Sequence, residues 1–182
     1  MKKFYAKNRK EWREWLEKNH DKEKEVWFVY YKKSANKPFV SYEDAVQEAL
    51  CFGWIDSTVR AFDEESRGQR FTPRNPKSNW SELNRERARR LIAKKLMTSS
   101  GARLLPPDLD NVKLEIPKEV LLVLKKDPEV WRNFQNFDDL YKRIRTAYIG
   151  SPKKQGRDEE YERRLNSFLK ATKKNRKIGT IL

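Results

Sequence analysis

The chain contains very little cysteine and histidine: its 182 residues include one of each, Cys51 and His20. A single cysteine excludes an intramolecular disulfide and a metal cluster built from cysteine ligands. A single histidine argues against a histidine-rich metal site and against catalysis by a serine–histidine pair. We therefore predict that the protein binds no metal and needs no cofactor.

Long hydrophobic runs are also missing. No apolar segment approaches the roughly 18 residues that a transmembrane helix needs. The N-terminal segment MKKFYAKNRKEWREW is basic but lacks the apolar stretch of a secretory signal. We predict no membrane span and a cytoplasmic location, and the sequence leaves the oligomeric state open.

Acidic residues are outnumbered by basic ones. The 42 lysines and arginines stand against 27 aspartates and glutamates, so the formal net charge is +15. Residues 1–104 hold 24 basic and 15 acidic side chains, and residues 105–182 hold 18 and 12, so the excess is not confined to a tail. Such a charge favours polyanionic partners, although it also serves solubility alone.

Aromatic residues, by contrast, are plentiful: they make up 12% of the chain and include six tryptophans. Asn8 and Glu11 have the spacing of a capping box, after which Trp12, Trp15 and Leu16 fall on one face of a helix. The following segment EVWFVYYKK is rich in valine and aromatic residues and is typical of a strand. These patterns predict a folded chain with an aromatic core.

The order of these patterns predicts an α+β fold, in which a small antiparallel sheet packed by helices precedes a helical C-terminal region. We expect the α+β domain to cover residues 1–104 and a proline-containing linker to cover residues 105–116. The helical region is expected at residues 117–175, followed by a tail at residues 176–182.

The most unusual residue choices lie between Ser41 and Trp80. A second capping box at Ser41 begins an amphipathic helix, and Gly53 is suited to end it because glycine tolerates the left-handed conformation. The segment WIDSTVRAF then alternates as a strand, and the segment QRFT returns as its hairpin partner until Pro73 stops it.

The run EALCFGWID, followed by QRFTPRNPKSNWS and a helix, resembles the YdeI/OmpD-associated family, whose members are also called bacteriocin-protection or OmdA-like proteins. The likeness extends from the EWREWLEKNH and VWFVYYKK segments to the helical LKKDPEVWRNFQNF and YERRLNSFLKATKKN segments. The resemblance implies a link to envelope stress or to protection from antibacterial peptides, and it implies no particular reaction.

The central stretch also supplies the predicted ligand site. Its guanidinium groups suit a phosphate or a carboxylate, its indole rings can stack on a planar group, and its prolines stiffen the loop. The helix that follows would offer free N–H groups to an anion. The predicted ligand-binding residues are Trp54, Asp56, Arg70, Arg74, Lys77, Asn79 and Trp80.

These residues also have a purely structural interpretation. Arg70 and Arg74 would lock the loop to the domain through backbone carbonyls or pair with Asp56 across the hairpin, while the tryptophans would fill the core. Cys51 lies near a helix C-terminus, where the helix dipole disfavours a thiolate, so we interpret it as buried and unreactive.

We predict a stress- or bacteriocin-protection-associated binding protein whose partner is an anionic small molecule or nucleic acid. Two alternatives stay open. In the first, the protein is an enzyme that acts on a phosphorylated or carboxylated small molecule through Asp56 with Arg70 and Arg74. In the second, its basic surface is a protein-interaction module.

Overall fold

The computed structural model describes residues 1–179 and divides the chain into two compact units. Unit 1 comprises Met1–Asn79 and Arg87–Leu109, and unit 2 comprises Trp80–Glu86 and Asp110–Leu182. Residues 180–182 of the predicted tail lie outside the described part of the chain. None of the helices within residues 1–179 has the length and the apolar composition that crossing a membrane demands.

Unit 1 combines strands and helices. Its elements in chain order are β1 (Lys3–Phe4), α1 (Arg9–Asn19), β2 (Val26–Tyr31), α2 (Tyr42–Cys51), β3 (Trp54–Ala61), β4 (Ser66–Pro73) and α4 (Ser99–Ala102). Between β4 and α4 comes α3 (Glu82–Ala93), which begins in unit 2 and ends in unit 1.

The four strands form one sheet in the order β1-β2-β4-β3. The pairs β2–β4 and β3–β4 are antiparallel, as predicted, but β1 pairs with β2 in parallel. The parallel pair has a topological cause, because α1 carries the chain from the end of β1 back to the start of β2. The predicted α+β class is confirmed, with a mixed sheet.

Three local signals of the sequence act as predicted. Asn8 Oδ1 accepts a hydrogen bond from Glu11 N at 3.0 Å and caps α1. Ser41 Oγ accepts one from Asp44 N at 3.0 Å and caps α2. Gly53 has a φ of 75°, in the left-handed region, and lies just past the end of α2.

The core of unit 1 is an aromatic cluster on one face of the sheet. Trp12 of α1 is fully buried, and its ring centroid lies 4.8 Å from that of Phe28 and 5.5 Å from that of Phe71. Trp12 Nε1 also donates to the carbonyl oxygen of Ala45 at 3.0 Å, so the same indole ties α1 to α2. Aromatic contacts of this kind add about 0.5–1.5 kcal/mol each to the gain from burial.

A buried carboxylate joins the same two helices a second time. Glu48 of α2 is only 2% exposed. Its Oε1 accepts a hydrogen bond from Arg9 Nε at 2.5 Å, and its Oε2 accepts one from Arg13 Nη1 at 2.7 Å. Both guanidinium groups belong to α1. A carboxylate so far from water is stable only with such partners, because an isolated buried charge is strongly disfavoured.

Unit 2 is helical. Its further helices are α5 (Lys118–Leu124), α6 (Pro128–Gln135), α7 (Asp139–Gly150) and α8 (Asp158–Lys173). Phe134, Tyr141 and Phe168 are buried in their shared core. Ile178 N donates to Tyr141 Oη at 3.0 Å, so the described part of the tail contacts this core.

The first turn of α3 is held within unit 2 by ion pairs. Arg143 Nη1 of α7 donates to Glu82 Oε2 at 2.7 Å, and Arg143 Nη2 donates to Glu86 Oε2 at 3.1 Å. Arg143 is buried, so these two carboxylates supply the negative charge that its guanidinium group requires.

Replacing Glu48 with alanine is expected to lower the free energy of unfolding by about 3 kcal/mol, the low end for breaking a buried ion pair, since Arg9 and Arg13 are partly exposed. Glu14→Ala is the control, because Glu14 is an exposed carboxylate whose pair with Lys10 spans 3.8 Å. The control should change stability by less than about 0.5 kcal/mol. Urea unfolding followed by tryptophan fluorescence measures both, and equal losses would contradict the structural role of Glu48.

Candidate functional site

The β3–β4 hairpin carries three of the seven predicted ligand-binding residues, and the other four follow β4. Its register pairs Trp54 with Pro73 and Asp56 with Phe71. Because directly paired residues share a face of the sheet, Asp56 lies on the same side as the aromatic core. Arg70 is adjacent to Phe71 in the strand and therefore lies on the opposite side.

Trp54 belongs to the core. Its side chain is 1% exposed, and its ring packs edge-on against that of Trp15 at a centroid distance of 5.8 Å. Trp54 Nε1 donates to the carbonyl oxygen of His20 at 3.0 Å. The indole therefore offers no face on which a ligand could stack, and it holds in place the segment that follows α1.

Asp56 is half-buried and does not pair with Arg70. Its carboxylate accepts a hydrogen bond from Tyr42 Oη at 2.7 Å and one from Gln69 Nε2 at 3.5 Å. Burial, together with the hydrogen bond to Asp56, raises the pKa of Tyr42 and keeps the phenol protonated. Arg70 instead binds Glu25 on the other face, with Nη2 at 2.6 Å from Oε2.

Arg74 closes the loop that follows β4. Its side chain is 6% exposed, and its Nη2 donates to the carbonyl oxygen of Asn79 at 2.7 Å. Its backbone N–H donates to Gly53 O at 2.8 Å. Burial lowers the pKa of Arg74, and the nearby Asp56 carboxylate opposes that effect. These contacts match the structural interpretation, in which the arginine locks the loop through a backbone carbonyl.

The loop itself presents polar side chains to solvent. Lys77 and Asn79 are exposed, and the backbone of the loop is ordered by a hydrogen bond from Lys77 N to Asn75 Oδ1 at 2.9 Å. Trp80 is half-buried and is the first residue of unit 2. Lys77 and Asn79 are thus the predicted residues whose side chains face the solvent most openly.

Cys51 is buried, as predicted. Burial and the neighbouring Glu48 carboxylate raise the pKa of the Cys51 thiol to about 11. The thiol is therefore protonated at neutral pH and a poor nucleophile. Within residues 1–179, no group of three or more histidine, cysteine, aspartate and glutamate side chains is arranged to hold a metal ion.

A groove that sequence reasoning missed lies on the face of the sheet opposite the aromatic core. It has a volume of about 260 Å³ and is open to solvent. Its walls are formed by side chains of β1, β2 and the β3–β4 turn. Tyr5, which follows β1, and Ser66, the first residue of β4, complete them. The lining residues are Lys3, Phe4, Tyr5, Val29, Tyr31, Phe62, Asp63 and Ser66.

Two of the aromatic rings that line this groove have a lysine ammonium group over them. Lys3 Nζ is 3.9 Å from the ring centroid of Phe62, and Lys37 Nζ is 3.8 Å from that of Tyr31. Tyr5 packs edge-on against Tyr31 at 5.1 Å and an interplanar angle of 84°. Both lysines are exposed, so their ammonium groups remain accessible to an anion.

One carboxylate, that of Asp63, lies in the wall of the groove. Asp63 Oδ1 accepts hydrogen bonds from Glu65 N at 2.9 Å and Ser66 N at 2.7 Å, and Oδ2 accepts one from Ser66 Oγ at 2.7 Å. The hydrogen bond from the Ser66 hydroxyl contributes most to lowering the pKa of Asp63, followed by the one from the Glu65 amide. The carboxylate is thus occupied with ordering the turn between β3 and β4.

The alternation of β2 contains a signal for this groove. Phe28 faces the core, so Val29 and Tyr31, at odd spacing from it, must face the other side of the sheet. The pairing of Lys3 with Trp27 adds a cation to that side. This signal becomes readable only when the strand register is known, because the pattern VWFVYY is apolar throughout.

The fold and these surfaces define an α+β unit with an aromatic core, accompanied by a helical unit. The chain belongs to the family described as "Domain of unknown function (DUF8412)", whose model matches residues 4–104. Residues 113–175 match the model described as "Bacteriocin-protection, YdeI or OmpD-Associated", which confirms the resemblance seen in the sequence. The motifs GWID and RFTPR lie within residues 4–104, the region matched by the DUF8412 model. No curated protein and no solved structure matches the chain significantly.

Arg74→Ala is expected to destabilise the protein by about 2 kcal/mol, because the buried guanidinium group donates a charge-assisted hydrogen bond that alanine cannot replace. Arg70→Ala serves as the matched change, since Arg70 and Glu25 are 37% and 34% exposed. It should cost less than about 1 kcal/mol. Urea unfolding distinguishes the two, and a larger loss for Arg70→Ala would contradict the assignment.

The Cys51 thiol is expected to resist modification by a disulfide reagent in the folded protein. Because its folded-state pKa is raised, the reactive thiolate stays scarce until the pH approaches about 11. Ellman's reagent at about pH 8 should react slowly with the native protein and fast after unfolding in urea. Similar rates in the two states would show that the thiol is accessible and ionised.

Proposed function

We propose that the protein binds a nucleotide unit, free or within a single strand, at the groove on the outer face of the sheet. The observation that carries this proposal is that two rings lining one groove each have an exposed lysine ammonium group over them, Lys3 over Phe62 and Lys37 over Tyr31. A nucleotide combines a planar base with a phosphate, which are the groups that rings and ammonium groups bind.

The aromatic rings account for the base. Stacking on an aromatic side chain contributes about 1–3 kcal/mol per base and tolerates any base, because every base has a π-face. Tyr31 and Phe62 are half-buried, so each keeps part of its ring surface open. A base that enters the groove takes the position over the ring that the lysine occupies in the free protein.

The displaced lysines account for the phosphate. An ammonium group over an exposed ring gains only about 0.5–1 kcal/mol, so it exchanges readily for a phosphate oxygen. Lys3 and Lys37 retain long flexible stems and solvent access, which allows this exchange. The neighbouring Lys32 and Lys33, also exposed, extend the positive surface beyond the groove.

The two arginines of the predicted ligand site already have partners. Arg70 pairs with Glu25, and Arg74 donates to the Asn79 carbonyl, so both are poorly placed to recruit an anion. The ligand class predicted from the sequence is retained in the proposal, and its site moves from the arginine-containing loop to the lysine-containing groove. Lys77 and Asn79 would then act, if at all, as a secondary contact.

The family description adds a biological setting to this proposal. We place the binding activity in bacteriocin protection, which the description of the matched C-terminal model names. The cytoplasmic location and the link to stress are retained from the sequence-based prediction. The proposal requires no bond to be broken in the ligand, so it describes a binding protein, in which Asp56 orders the hairpin through Tyr42.

The test uses fluorescence anisotropy with a labelled single-stranded ten-nucleotide RNA, and calorimetry with adenosine triphosphate. Lys3→Gln combined with Lys37→Gln should weaken binding and reduce the slope of log affinity against log salt by about 1.4, or 0.7 for each lost phosphate contact. Tyr31→Leu should weaken binding about tenfold or more through lost stacking.

Lys18→Gln combined with Lys22→Gln is the matched control, because it removes two exposed charges from the end of α1 and the residues beyond it. If both double variants weaken binding equally, the interaction is a general property of the basic surface and the groove is not its site. Binding of adenosine triphosphate but not of the RNA would identify a free nucleotide as the ligand. Binding of neither probe would reject the proposal.

A further inference from the structure

The chain's only histidine lies against a serine that is 80 residues away in sequence. His20 follows directly after α1, and Ser100 lies in the short helix α4. Ser100 Oγ is 2.9 Å from His20 Nε2, and His20 Nδ1 is 2.9 Å from the carbonyl oxygen of Leu16. All three residues belong to unit 1.

The carbonyl of Leu16 determines the protonation pattern of this pair. A carbonyl oxygen only accepts hydrogen bonds, so Nδ1 must carry the proton and donate to it. Nε2 of the neutral ring is then an acceptor, and the Ser100 hydroxyl must donate to it. This is the tautomer that a general base needs when it removes a proton from a serine.

The surrounding elements fix both partners. Trp54 Nε1 donates to His20 O at 3.0 Å, and the Phe52 ring lies 5.2 Å from the imidazole, centroid to centroid. On the other side, Thr98 Oγ1 donates to Cys51 O at 2.6 Å and seats α4 on the end of α2.

The glycine at position 101 is required for this seating. A Cβ at Gly101 would lie 2.3 Å from Cys51 O, a distance that no real Cβ contact tolerates. Any other residue would therefore push α4 away from the end of α2 and withdraw Ser100 from the imidazole.

A cation lies next to the serine oxygen. Arg103 Nη2 donates to Ser100 Oγ at 3.3 Å, and the arginine side chain is exposed. A guanidinium group in this position favours the negative charge that develops on and near the oxygen during nucleophilic attack. His20 and Ser100 are half-buried, so part of the surface of each remains exposed to solvent.

The scarcity of histidine argued against serine–histidine catalysis, but the single histidine lies in contact with a serine. We therefore propose that Ser100 and His20 form a nucleophile–base pair that cleaves carboxylic esters. The Ser100 hydroxyl proton moves to His20 Nε2 as Oγ attacks the ester carbonyl carbon, and Arg103 faces the resulting oxyanion. The carbon–oxygen bond to the alcohol then breaks, and His20 returns its proton to the leaving alcohol. This leaves an acyl group on Ser100 Oγ.

Water completes the cycle. His20 Nε2 takes a proton from a water molecule as the water oxygen attacks the acyl carbon. The carbon–Oγ bond breaks, Ser100 Oγ regains the proton from His20, and a carboxylic acid is released. The step consumes one ester and one water and needs no metal, oxidant or reductant. It is independent of the nucleotide groove.

The test is labelling of the full-length protein with a fluorophosphonate probe, which transfers its phosphonyl group to an activated serine as fluoride leaves. Peptide mass spectrometry should find the label on Ser100 and not on the exposed neighbour Ser99. His20→Gln should slow labelling by about 100-fold or more, the usual contribution of a general base. Hydrolysis of p-nitrophenyl acetate should be lost in Ser100→Ala and kept in Ser99→Ala.

Several outcomes would overturn the proposal. These are an unlabelled Ser100 in the wild-type protein, equal labelling of Ser99 and Ser100, or unchanged labelling in a folded His20→Gln variant. Circular dichroism verifies the fold of each variant. If His20→Gln does not fold, the comparison of Ser100 with Ser99 in the wild-type protein decides, because both serines share the same helix and differ in their contact with His20.

Discussion

The fold of unit 1 depends on the complete burial of one indole ring, that of Trp12. The ring contacts Phe28 and Phe71 of the sheet, while its N–H donates to the Ala45 carbonyl of α2. A large apolar ring with one polar atom suits such a junction, because it leaves water without leaving a donor unsatisfied. The positions of α1 and α2 on the sheet follow from this contact, and Glu48 strengthens it with two arginines of α1.

This packing decides which residues remain available for chemistry. The tryptophan and the arginines that look most functional in the central motifs are used by the fold: Trp54 supports His20, Arg74 closes a loop and Arg70 pairs with Glu25. The side chains that remain available for binding or catalysis lie at the margins of the core. The outer face of the sheet offers rings and lysines, and the meeting of α4 with the end of α1 offers a serine beside an imidazole.

Arginines and lysines have different roles in this protein. Several arginines are buried or half-buried in ion pairs, as Arg13 is with Glu48, Arg87 with Glu43 and Arg143 with Glu82. A planar guanidinium group forms two directed hydrogen bonds with a carboxylate and tolerates burial. Lysines such as Lys3 and Lys37 stay exposed, so much of the positive charge available to a partner is carried by flexible side chains whose attraction falls with salt.

The sequence by itself determined the α+β class, the caps at Asn8 and Ser41, the left-handed Gly53 and the family likeness of the C-terminal segment. Each of these depends on residues only a few positions apart or on a local motif. Only the tertiary structure decided the parallel pairing of β1, the partners of the arginines, the groove and the contact between His20 and Ser100. Those features join residues far apart in the chain, so they depend on strand register and helix packing, which no local periodicity encodes.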